Sequence, residues 1–581
     1  MFDLMFKKAR NNIILSGSLF LLFPMWGSAL LAQEDTSQDL ELAYEILEER
    51  GEIILEIYPE SNIDLEELFR WISIDRKIKD GFRIYANSTG FDEIKSQGVR
   101  FRIIDVRKDV PYRKSAAVFP GDWDSYPGYG EYVDMMIGLH NDYPDICRLD
   151  TLGQSVDGRL ILALKITRRP DDKEPEPVFY YSSSMHGDET TGYMLMLRLA
   201  DHLLANYGQD SMVTRLVDNL EIWINPLANP DGAYWNSEET ISMPRRFNMN
   251  DADLNRNFPG IDGDEHPDDR DYQPENLAQM KFMDSIRPVL SANFHGGFEV
   301  VGYPWDAFSY YHADDAWFRW AGRKYADTAH QRAYPVLYMT SYDDGVVIGW
   351  QWYAIRGGRM DYVTYFLHGR EVTLEVSHRL YPPADEMPYY WHYNYTSMMQ
   401  YMENSLFGIQ GTVTNKANGE PVEAVVRVQD HEKDRSYAVS HKATGYFTRL
   451  IEPGTWNLEV SAAGYDTMVV RDVTVENDRA TRVDIQLVPM GTGIRDRDRL
   501  DIFPNPFRHR SSISYNARIP GRYRIRLYDL KGTLVFDERR MHEGKGIYTY
   551  QLDAKELDQG IYILRFISPE STITRKIYKI R

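Results

Sequence analysis

This sequence of 581 residues contains a single cysteine, Cys147. An internal disulfide is therefore excluded, and so is a cysteine-rich zinc site, so any bound metal must be held by histidine and carboxylate side chains. The chain is also short of positive charge, because 66 Lys and Arg stand against 87 Asp and Glu, for a net charge of −21. This acidic balance argues against nucleic acid or an anionic lipid surface as a partner.

Long apolar runs are absent after the first 32 residues, so we expect no stable transmembrane segment in the mature protein. Residues 1–32 combine the basic residues Lys7 and Arg10 with the apolar run IILSGSLFLLFPMWGSALL and end on Ala32. This pattern predicts a secretory signal peptide cleaved after Ala32, although Leu30 replaces the small residue that usually precedes such a site. An N-terminal membrane anchor is the alternative interpretation of the same run.

Changes in the hydrophobic pattern divide the rest of the chain into units. Residues 33–115 alternate short strand-like and helix-like runs, which predicts a small α/β domain. Residues 116–405 alternate longer apolar strands with amphipathic helices, which predicts an α/β domain with a largely buried, mixed sheet flanked by helices. Residues 406–490 and 500–581 contain short alternating strands separated by turns, which predicts two all-β sandwich domains joined by a linker at 491–499.

Two His-x-x-Glu pairs occur, and this spacing alone does not identify a metal site. His368 and Glu371 lie in YVTYFLHGREVTLEVS, which we interpret as extended chain, where residues three apart point to opposite faces. His186 and Glu189 instead lie where an apolar strand gives way to a helix, a position where side chains gather into a ligand crevice. A catalytic zinc site needs a third protein ligand. His295 is the candidate, because it also ends a strand-like run (VLSANF) and precedes glycine. No HExxH sequence occurs, which excludes the helical zinc-binding arrangement.

Six motifs resemble the zinc carboxypeptidase family and follow its order across residues 120–405: HGDE (186–189), NPDG (229–232), DLNRNFP (253–259), NFHGG (293–297), WYAIRGG (352–358) and TLEVS (373–377). The resemblance is closest to the carboxypeptidase N and E subgroup. It implies that family's α/β fold and hydrolysis of the C-terminal peptide bond of peptides or proteins. It also implies one Zn²⁺ ion bound by His186, Glu189 and His295, the His₂Glu ligand set of a catalytic zinc.

The resemblance assigns chemical roles to residues beside the metal. Glu375 falls on the family's general base, which accepts a proton from the attacking water and passes it to the leaving amine. A lone carboxylate on an apolar strand is costly without a positive partner, which supports a functional role for Glu375. Arg246 falls on the arginine that stabilises the oxyanion, although a slip of one residue would give that role to Arg245.

Substrate recognition is implied for a second group of residues. Asn255 and Arg256 fall on the family's binding site for the C-terminal carboxylate, and Tyr353 on its mobile tyrosine. The run NFHGGFEVVGYPWD places Asp306 where the N and E subgroup has the acidic residue that accompanies a preference for C-terminal Lys or Arg. This predicts the same preference here. Met360 departs from the pattern, because that subgroup often has a glutamine in the pocket.

The flanking units have resemblances of their own. Residues 406–490, opening with GTVTNKANGEPVEAVV, resemble the transthyretin-like domain of the N and E subgroup. Residues 500–581, with FPNPF and LDQGIYILRF, resemble the C-terminal sorting domain of type IX secretion, which implies that this secretion machinery exports the chain across the outer membrane of a Gram-negative bacterium. A second binding sandwich is the alternative. Residues 33–115 resemble the inhibitory prosegment of secreted carboxypeptidases, and the dibasic pairs at 107–108 and 113–114 suit proteolytic activation.

These observations together predict an exported zinc carboxypeptidase that acts on peptide C-termini with a basic preference. Two alternatives remain open. The first is an enzyme that cleaves peptidoglycan stem peptides. The second is a catalytically inactive surface-binding protein on the same fold, which predicts that a metal ligand or the base is missing.

Overall fold

The fold is taken from a computed structural model, which describes residues 35–61, 63, 65–105, 125–490, 500–517, 519–544, 546–569 and 572–580. The predicted signal peptide, the linker at 491–499 and both dibasic pairs lie outside these residues. Separate apolar cores follow one another along the described chain: one in the N-terminal unit, two in the following α/β domain and one in each all-β region. Among the described helices, none has the length and apolarity needed to cross a membrane.

The N-terminal unit is a four-stranded antiparallel sheet, in the order β2-β3-β1-β4, with helices on one face. Its elements are α1 (Asp35–Arg50), β1 (Ile53–Tyr58), α2 (Leu65–Leu68), β2 (Ser73–Ile78), β3 (Gly81–Ala86), α3 (Ser88–Ser96) and β4 (Arg100–Ile104). Side chains alternate across β1 as a strand requires. Leu55 therefore faces the unit's own core, whereas Ile54 packs with Tyr85 of β3 and with Phe247 of the next domain. The run DLEELFRWI, which has a helical pattern, forms only the single turn α2.

The α/β domain predicted at residues 116–405 contains an eight-stranded sheet in the order β11-β10-β12-β9-β7-β8-β6-β5. The strands are β5 (Cys147–Gln154), β6 (Leu160–Ile166), β7 (Val178–Ser183), β8 (Glu221–Asn225), β9 (Leu290–His295), β10 (Phe298–Tyr303), β11 (Val346–Ile348) and β12 (Arg370–Ser377). Strands β12, β9, β7 and β8 are parallel to one another. Strand β10 runs antiparallel to β12 but parallel to β11, and at the other edge β6 runs antiparallel to β8 and β5 antiparallel to β6. The predicted mixed sheet is therefore confirmed.

Helices cover both faces of this sheet, which explains why its central strands are apolar throughout. They are α4 (Tyr129–Asp142), α5 (Thr191–Asn206), α6 (Ser211–Asn219), α7 (Pro230–Ala233), α8 (Pro274–Ile286), α9 (Asp315–Ala333), α10 (Gly349–Trp352), α11 (Arg359–Phe366) and α12 (Met387–Glu403). Phe179 and Tyr181 of β7 pack in the core that contains α5, α9 and α12. Tyr180, between them, faces the core that contains α8 and α11.

The interpretation of YVTYFLHGREVTLEVS as extended chain was wrong in its first half, because residues 359–366 form α11. His368 lies in the turn before β12 with a positive φ of 61° and stacks on Tyr437. Glu371 instead pairs with Arg359 and accepts a hydrogen bond from Ser291. These two side chains have different partners, so this His-x-x-Glu pair does not form a site.

Two all-β regions follow, in agreement with the predicted fold class. The first comprises β13 (Gly408–Asn415), β14 (Val425–Val428), β15 (Ala438–Val439), β16 (Tyr446–Arg449), β17 (Gly454–Ser461), β18 (Met468–Val475), β19 (Ala480–Arg482) and β20 (Ile485–Leu487). The second comprises β21 (Leu500–Phe503), β22 (Arg510–Ala517), β23 (Gly521–Tyr528), β24 (Leu534–His542), β25 (Gly546–Asp553), β26 (Gly560–Ile567) and β27 (Thr572–Lys579). Each region divides its strands between two sheets around its own core.

Candidate active site

The candidate site lies at the carboxyl ends of the adjacent parallel strands β7, β9 and β12. His295 is the last residue of β9 and pairs in register with Glu375 of β12. His186 and Glu189 lie in the turn between β7 and α5. That turn requires glycine at position 187, because a Cβ there would lie 2.2 Å from the backbone of Gly232. Parallel strands thus bring these four side chains to one edge of the sheet.

The three predicted metal ligands are in mutual contact. Nδ1 of His186 lies 2.9 Å from Oε1 of Glu189 and 3.1 Å from Nδ1 of His295. Nδ1 of His295 lies 2.7 Å from Oε2 of Glu189. Nitrogen and oxygen ligands about 2.0–2.2 Å from a tetrahedral zinc ion are roughly 3.3 Å apart, so this spacing fits one ion. All three side chains are buried, and the two imidazole nitrogens face each other and a carboxylate.

Both imidazoles are oriented by partners on their other nitrogen. Nε2 of His186 lies 3.0 Å from Oδ1 of Asp253, and Nε2 of His295 lies 2.7 Å from the Nδ2 amino group of Asn293. For His186, an Nε2–H that donates to the carboxylate of Asp253 leaves the Nδ1 lone pair available to a metal. Asp253 heads the DLNRNFP motif, and its position there was a signal for this orienting role that the sequence reasoning did not use.

Glu375 lies beside the triad and is almost fully buried. Its Oε2 has no hydrogen-bond partner in the described part of the chain. Burial, reinforced by the carboxylates of Glu189 and Asp75, raises the pKa of Glu375 well above its usual range. A carboxyl group with a raised pKa is suited to accepting and returning a proton near neutral pH.

The two neighbouring arginines have different environments. Arg246 lines the cleft, where Nη1 donates to Oε1 of Glu189 at 3.1 Å and Nε lies 3.1 Å from Oδ2 of Asp253. Arg245 points away from the cleft, packs over the ring of Trp235 and donates to Asp251. The geometry thus places Arg246, and not Arg245, beside the metal ligands.

Of the three residues predicted to recognise the substrate's C-terminus, two line the same cleft and the third contacts the N-terminal unit. Asn255 lines the cleft, and its Oδ1 accepts a hydrogen bond of 3.0 Å from the backbone of Arg359. Tyr353 lines the cleft and also packs against the core of the N-terminal unit. Arg256 does not line the cleft, because its Nη2 donates to the backbone carbonyl of Ile74 at 3.1 Å. This guanidinium therefore binds the N-terminal unit.

Asp306 lines the cleft together with Met360 and Gly349. It is 6% exposed, and within the described residues no donor hydrogen-bonds to its carboxylate. Its backbone N–H donates to Oδ1 of Asp361 at 3.0 Å. Burial and then the charge of Asp361 raise the pKa of Asp306 well above its usual range. The positive charge of Arg256 acts against this rise in pKa, since a nearby cation stabilises a buried carboxylate.

The N-terminal unit reaches into the cleft through β2, a contact that the sequence pattern did not reveal. Asp75 lines the cleft, and the hydroxyl of Ser73 accepts a hydrogen bond of 2.9 Å from Nε of Arg246. Ser73 also donates to Asp253. Nearby, the buried carboxylate of Glu52 accepts from the backbone N–H of Arg246 at 3.0 Å.

A mixed α/β sheet with a His₂Glu set at its strand ends defines a class, the zinc-dependent peptidases. Comparison with known proteins gives the family. Residues 132–397 match the sequence profile described as Zinc carboxypeptidase. Carboxypeptidase E of Caenorhabditis elegans is 31% identical over 416 residues, which cover 63% of this chain and 88% of that protein. The chain therefore belongs to the zinc carboxypeptidase family.

Two further comparisons cover less of the other protein or give a lower sequence identity. Human carboxypeptidase D is 37% identical over 380 residues, 62% of this chain but only 27% of that protein. The chain thus spans about a quarter of the carboxypeptidase D relatives that it matches. Carboxypeptidase A from Helicoverpa armigera aligns with 61% of this chain and 97% of its own, at 16% identity and a TM-score of 0.48.

The two all-β regions also match known domains. Residues 408–488 match the Carboxypeptidase regulatory-like domain, and residues 501–580 match the Secretion system C-terminal sorting domain. Both resemblances seen in the sequence are thereby confirmed. The sorting domain indicates export by type IX secretion to the cell surface or beyond.

Proposed function

We propose that this chain is a zinc metallocarboxypeptidase that removes C-terminal Lys or Arg from peptides and proteins. The observation that carries the proposal is the buried carboxylate of Asp306, which lies in the same cleft as the His186–Glu189–His295 triad and accepts no hydrogen bond from the described residues. A peptide bond at the triad and a cationic side chain at Asp306 place the substrate's last residue inside the pocket.

The triad fits a zinc ion, which, when bound, supplies Lewis acidity that lowers the pKa of a water molecule and polarises a carbonyl group. Glu375 takes the proton of the attacking water on its unpaired Oε2 and later delivers it to the leaving amine. Arg246 supplies positive charge where the carbonyl oxygen becomes negative. The loss of one such donor typically costs about 2.7–4 kcal/mol of transition-state stabilisation.

Recognition of the chain end falls to Asn255 and Arg256. A guanidinium binds a carboxylate with two parallel hydrogen bonds, so Arg256 suits a free C-terminus. To do this, it must exchange its contact with the carbonyl of Ile74 for the substrate. Tyr353 lies at the same opening and closes over the bound residue.

The test is a panel of L-peptides that differ only in the last residue, assayed with and without a zinc chelator. We expect higher kcat/KM for peptides ending in Arg or Lys than in Phe, with activity lost on chelation and restored by Zn²⁺. Equal values for Arg and Phe, unaffected by Asp306→Ala, would refute the basic preference. Cleavage restricted to D-centred or diaminopimelate peptides would favour the peptidoglycan alternative. Absence of turnover by zinc-loaded protein would favour the inactive binding protein.

We also propose that residues 33–115 act as an inhibitory prosegment. The support is that groups of the N-terminal unit bind both guanidinium groups assigned to catalysis and recognition, Arg246 through Ser73 and Arg256 through Ile74. Asp75 adds a carboxylate to the cleft beside Glu375. A substrate carboxylate competes with all three contacts.

A protease site inserted within residues 106–124 of the full chain tests this inhibition. Cleavage and removal of the N-terminal unit should raise kcat/KM, because Arg256 is released for the substrate. The same protease applied to the unmodified chain is the control. Equal turnover by the full-length and trimmed proteins would rule out inhibition.

Export completes the proposal. A signal peptide at residues 1–32 would direct the chain across the inner membrane of a Gram-negative bacterium, and the sorting domain would direct it through the outer membrane. Mass spectrometry of the secreted protein would reveal an N-terminus after Ala32 or after residue 115.

A further inference from the structure

The segment 305–314 (WDAFSYYHAD) connects β10 to α9 and carries Asp306 near its start and Asp314 at its end. Asp306 has little freedom of position. A Cβ at Gly349 would lie 1.7 Å from its Oδ1, so the carboxylate packs directly on that backbone. Misplacement of a recognition group by about 1 Å can cost two orders of magnitude in rate. Whatever holds segment 305–314 therefore affects the pocket.

One end of the segment is held within the catalytic domain. The backbone N–H groups of Asp306 and Ala307 donate to the two carboxylate oxygens of Asp361 at 3.0 and 2.9 Å. This contact fixes the backbone of Asp306 from the α11 side.

The other end is held mainly by the regulatory-like β-sandwich domain. Asp314 is fully buried and receives a two-pronged contact from Arg449, with Nη1 to Oδ2 at 3.0 Å and Nη2 to Oδ1 at 2.9 Å. His431 adds a contact of 2.8 Å. Both are sandwich residues, whereas Arg370 is the catalytic domain's own partner. Without the sandwich, this buried carboxylate would lose two of the three side chains that hydrogen-bond to it.

The same cluster is not a metal site. Asp314, His431 and Glu452 have the geometry of a possible ligand group. However, both oxygens of Asp314 already accept hydrogen bonds from arginines, and a cation there would face two guanidinium groups. The cluster is an ion-pair network between domains.

A second contact path runs along aromatic rings. The ammonium of Lys433, from the sandwich, lies 5.0 Å from the ring of Tyr310. Tyr310 stacks on Phe308 at 5.0 Å, and Phe308 meets Trp305 edge-on at 5.7 Å. Trp305 is fully buried and is the residue before Asp306.

The two paths meet at this tryptophan. His312 packs against Trp305 with ring centres 4.9 Å apart, and its Nδ1 accepts a hydrogen bond of 2.9 Å from the backbone of Asp314. Contacts from the sandwich therefore reach Trp305 from both Asp314 and Tyr310.

We propose that the β-sandwich domain positions Asp306 through Arg449 and Lys433 and thereby helps to set the preference for basic C-terminal residues. This inference rests on the proposed function, because it assigns the sandwich a role at the same specificity pocket. Arg449 and Lys433 are positioning residues that do not touch the substrate.

The experiment uses the protein from which only the N-terminal unit has been removed by cleavage. It compares kcat and KM for peptides ending in Arg and in Phe. We expect Arg449→Gln to lower the Arg-to-Phe ratio of kcat/KM by about tenfold, mainly through KM for the Arg peptide. Lys433→Ala should lower the ratio roughly threefold, since an exposed cation–π contact is weak. Arg449→Lys should restore part of the loss.

The matched control is Arg287→Ala, which removes the exposed pair between Arg287 and Glu423. That pair joins the same two domains but does not touch segment 305–314, so the ratio should not change. In an Asp306→Ala background, neither Arg449→Gln nor Lys433→Ala should alter the ratio further. Thermal unfolding reports any general destabilisation by Arg449→Gln, and the exposed Lys433 provides a variant that retains the buried network.

The outcomes separate the two proposals. If Asp306→Ala lowers the ratio while Arg449→Gln and Lys433→Ala leave it intact, the positioning role is overturned and the basic preference stands. An equal loss of kcat/KM for both peptides would also overturn the positioning role, because it would indicate general support of the fold. If Asp306→Ala itself leaves the ratio unchanged, the basic preference is refuted and the positioning role with it.

Discussion

The N-terminal unit and the β-sandwich domain both contact charged side chains of the catalytic domain, but they contact different kinds of residue. Ser73 and Ile74 of the N-terminal unit contact Arg246 and Arg256 themselves. The sandwich residue Arg449 contacts Asp314, eight positions along the chain from the pocket residue Asp306. The first unit contacts two arginines for which we propose roles in catalysis and recognition, whereas the second contacts the segment that carries Asp306.

This difference teaches how similar interactions can have opposite consequences. A contact that uses a recognition group must be broken before the substrate binds, so it inhibits. A contact that holds the surrounding segment is compatible with the substrate and reduces the freedom of the pocket. We therefore expect loss of the first kind to raise activity for all substrates, and loss of the second kind to lower discrimination between them.

The largest expected effect tests whether Glu375 is the base for the activity that both units are proposed to modify. We expect Glu375→Gln in the trimmed protein to lower kcat about a thousandfold, because the amide cannot accept the proton of water. In a full-length Glu375→Gln variant, removal of the N-terminal unit should no longer raise activity measurably. Zinc content, measured by elemental analysis, should stay at one ion per chain. A variant that keeps most of its kcat would show that another group is the base.

A smaller effect isolates the inhibitory contact. Glu52 accepts hydrogen bonds from the backbone of Arg246 and Phe247, so Glu52→Ala should loosen the N-terminal unit and raise the activity of untrimmed protein about tenfold. The matched control is Glu56→Ala, since Glu56 pairs with Arg102 inside the N-terminal unit. Equal activities of the two variants would show that the Glu52 contact does not hold the unit in place.

A change of pH should affect the recognition of basic residues in one direction. Burial holds the pKa of Asp306 well above its usual range, so the carboxyl takes up a proton well above about pH 3.9. Only the ionised form attracts a cation, so KM for an Arg peptide should rise as pH falls, roughly threefold across the upper part of this titration. KM for a Phe peptide measured in parallel should not follow. Parallel changes for both peptides would exclude Asp306 as the titrating group.

The smallest expected effect concerns a second contact between the sandwich and the catalytic domain. Arg287→Ala removes an exposed pair, which typically contributes about 0.2–1 kcal/mol. We expect no change in the Arg-to-Phe ratio and only a slight fall in the unfolding temperature. A change in selectivity as large as that of Arg449→Gln would mean that any contact between the domains affects the pocket.

Much of the catalytic domain was predictable because its signals are local. Apolar runs of strand length, broken by polar residues and separated by amphipathic helices, indicated the mixed sheet. The strand-to-helix turn at His186 and the strand end at His295 indicated where side chains gather. One failure was also local, because residues 362–366, interpreted as part of an extended run, belong to α11.

The assigned roles of Glu375, Arg246, Asn255, Arg256, Tyr353 and Asp306 stay predictions, although the structure places all six at or beside one cleft. The sequence did not distinguish Arg246 from Arg245. Adjacent residues share composition and propensity, and only the directions of their side chains differ.

By itself, the sequence determined the fold class, the family and the donor residues available to a metal, because these depend on residue type and on spacing along the chain. Only the tertiary structure decided which arginine faces the candidate metal ligands, that β2 enters the cleft, and that Arg449 reaches Asp314 from another domain. The physical reason is that periodicity reports which side of an element is buried, not what covers it. Contacts between residues more than a hundred positions apart are decided when separately folded surfaces pack together.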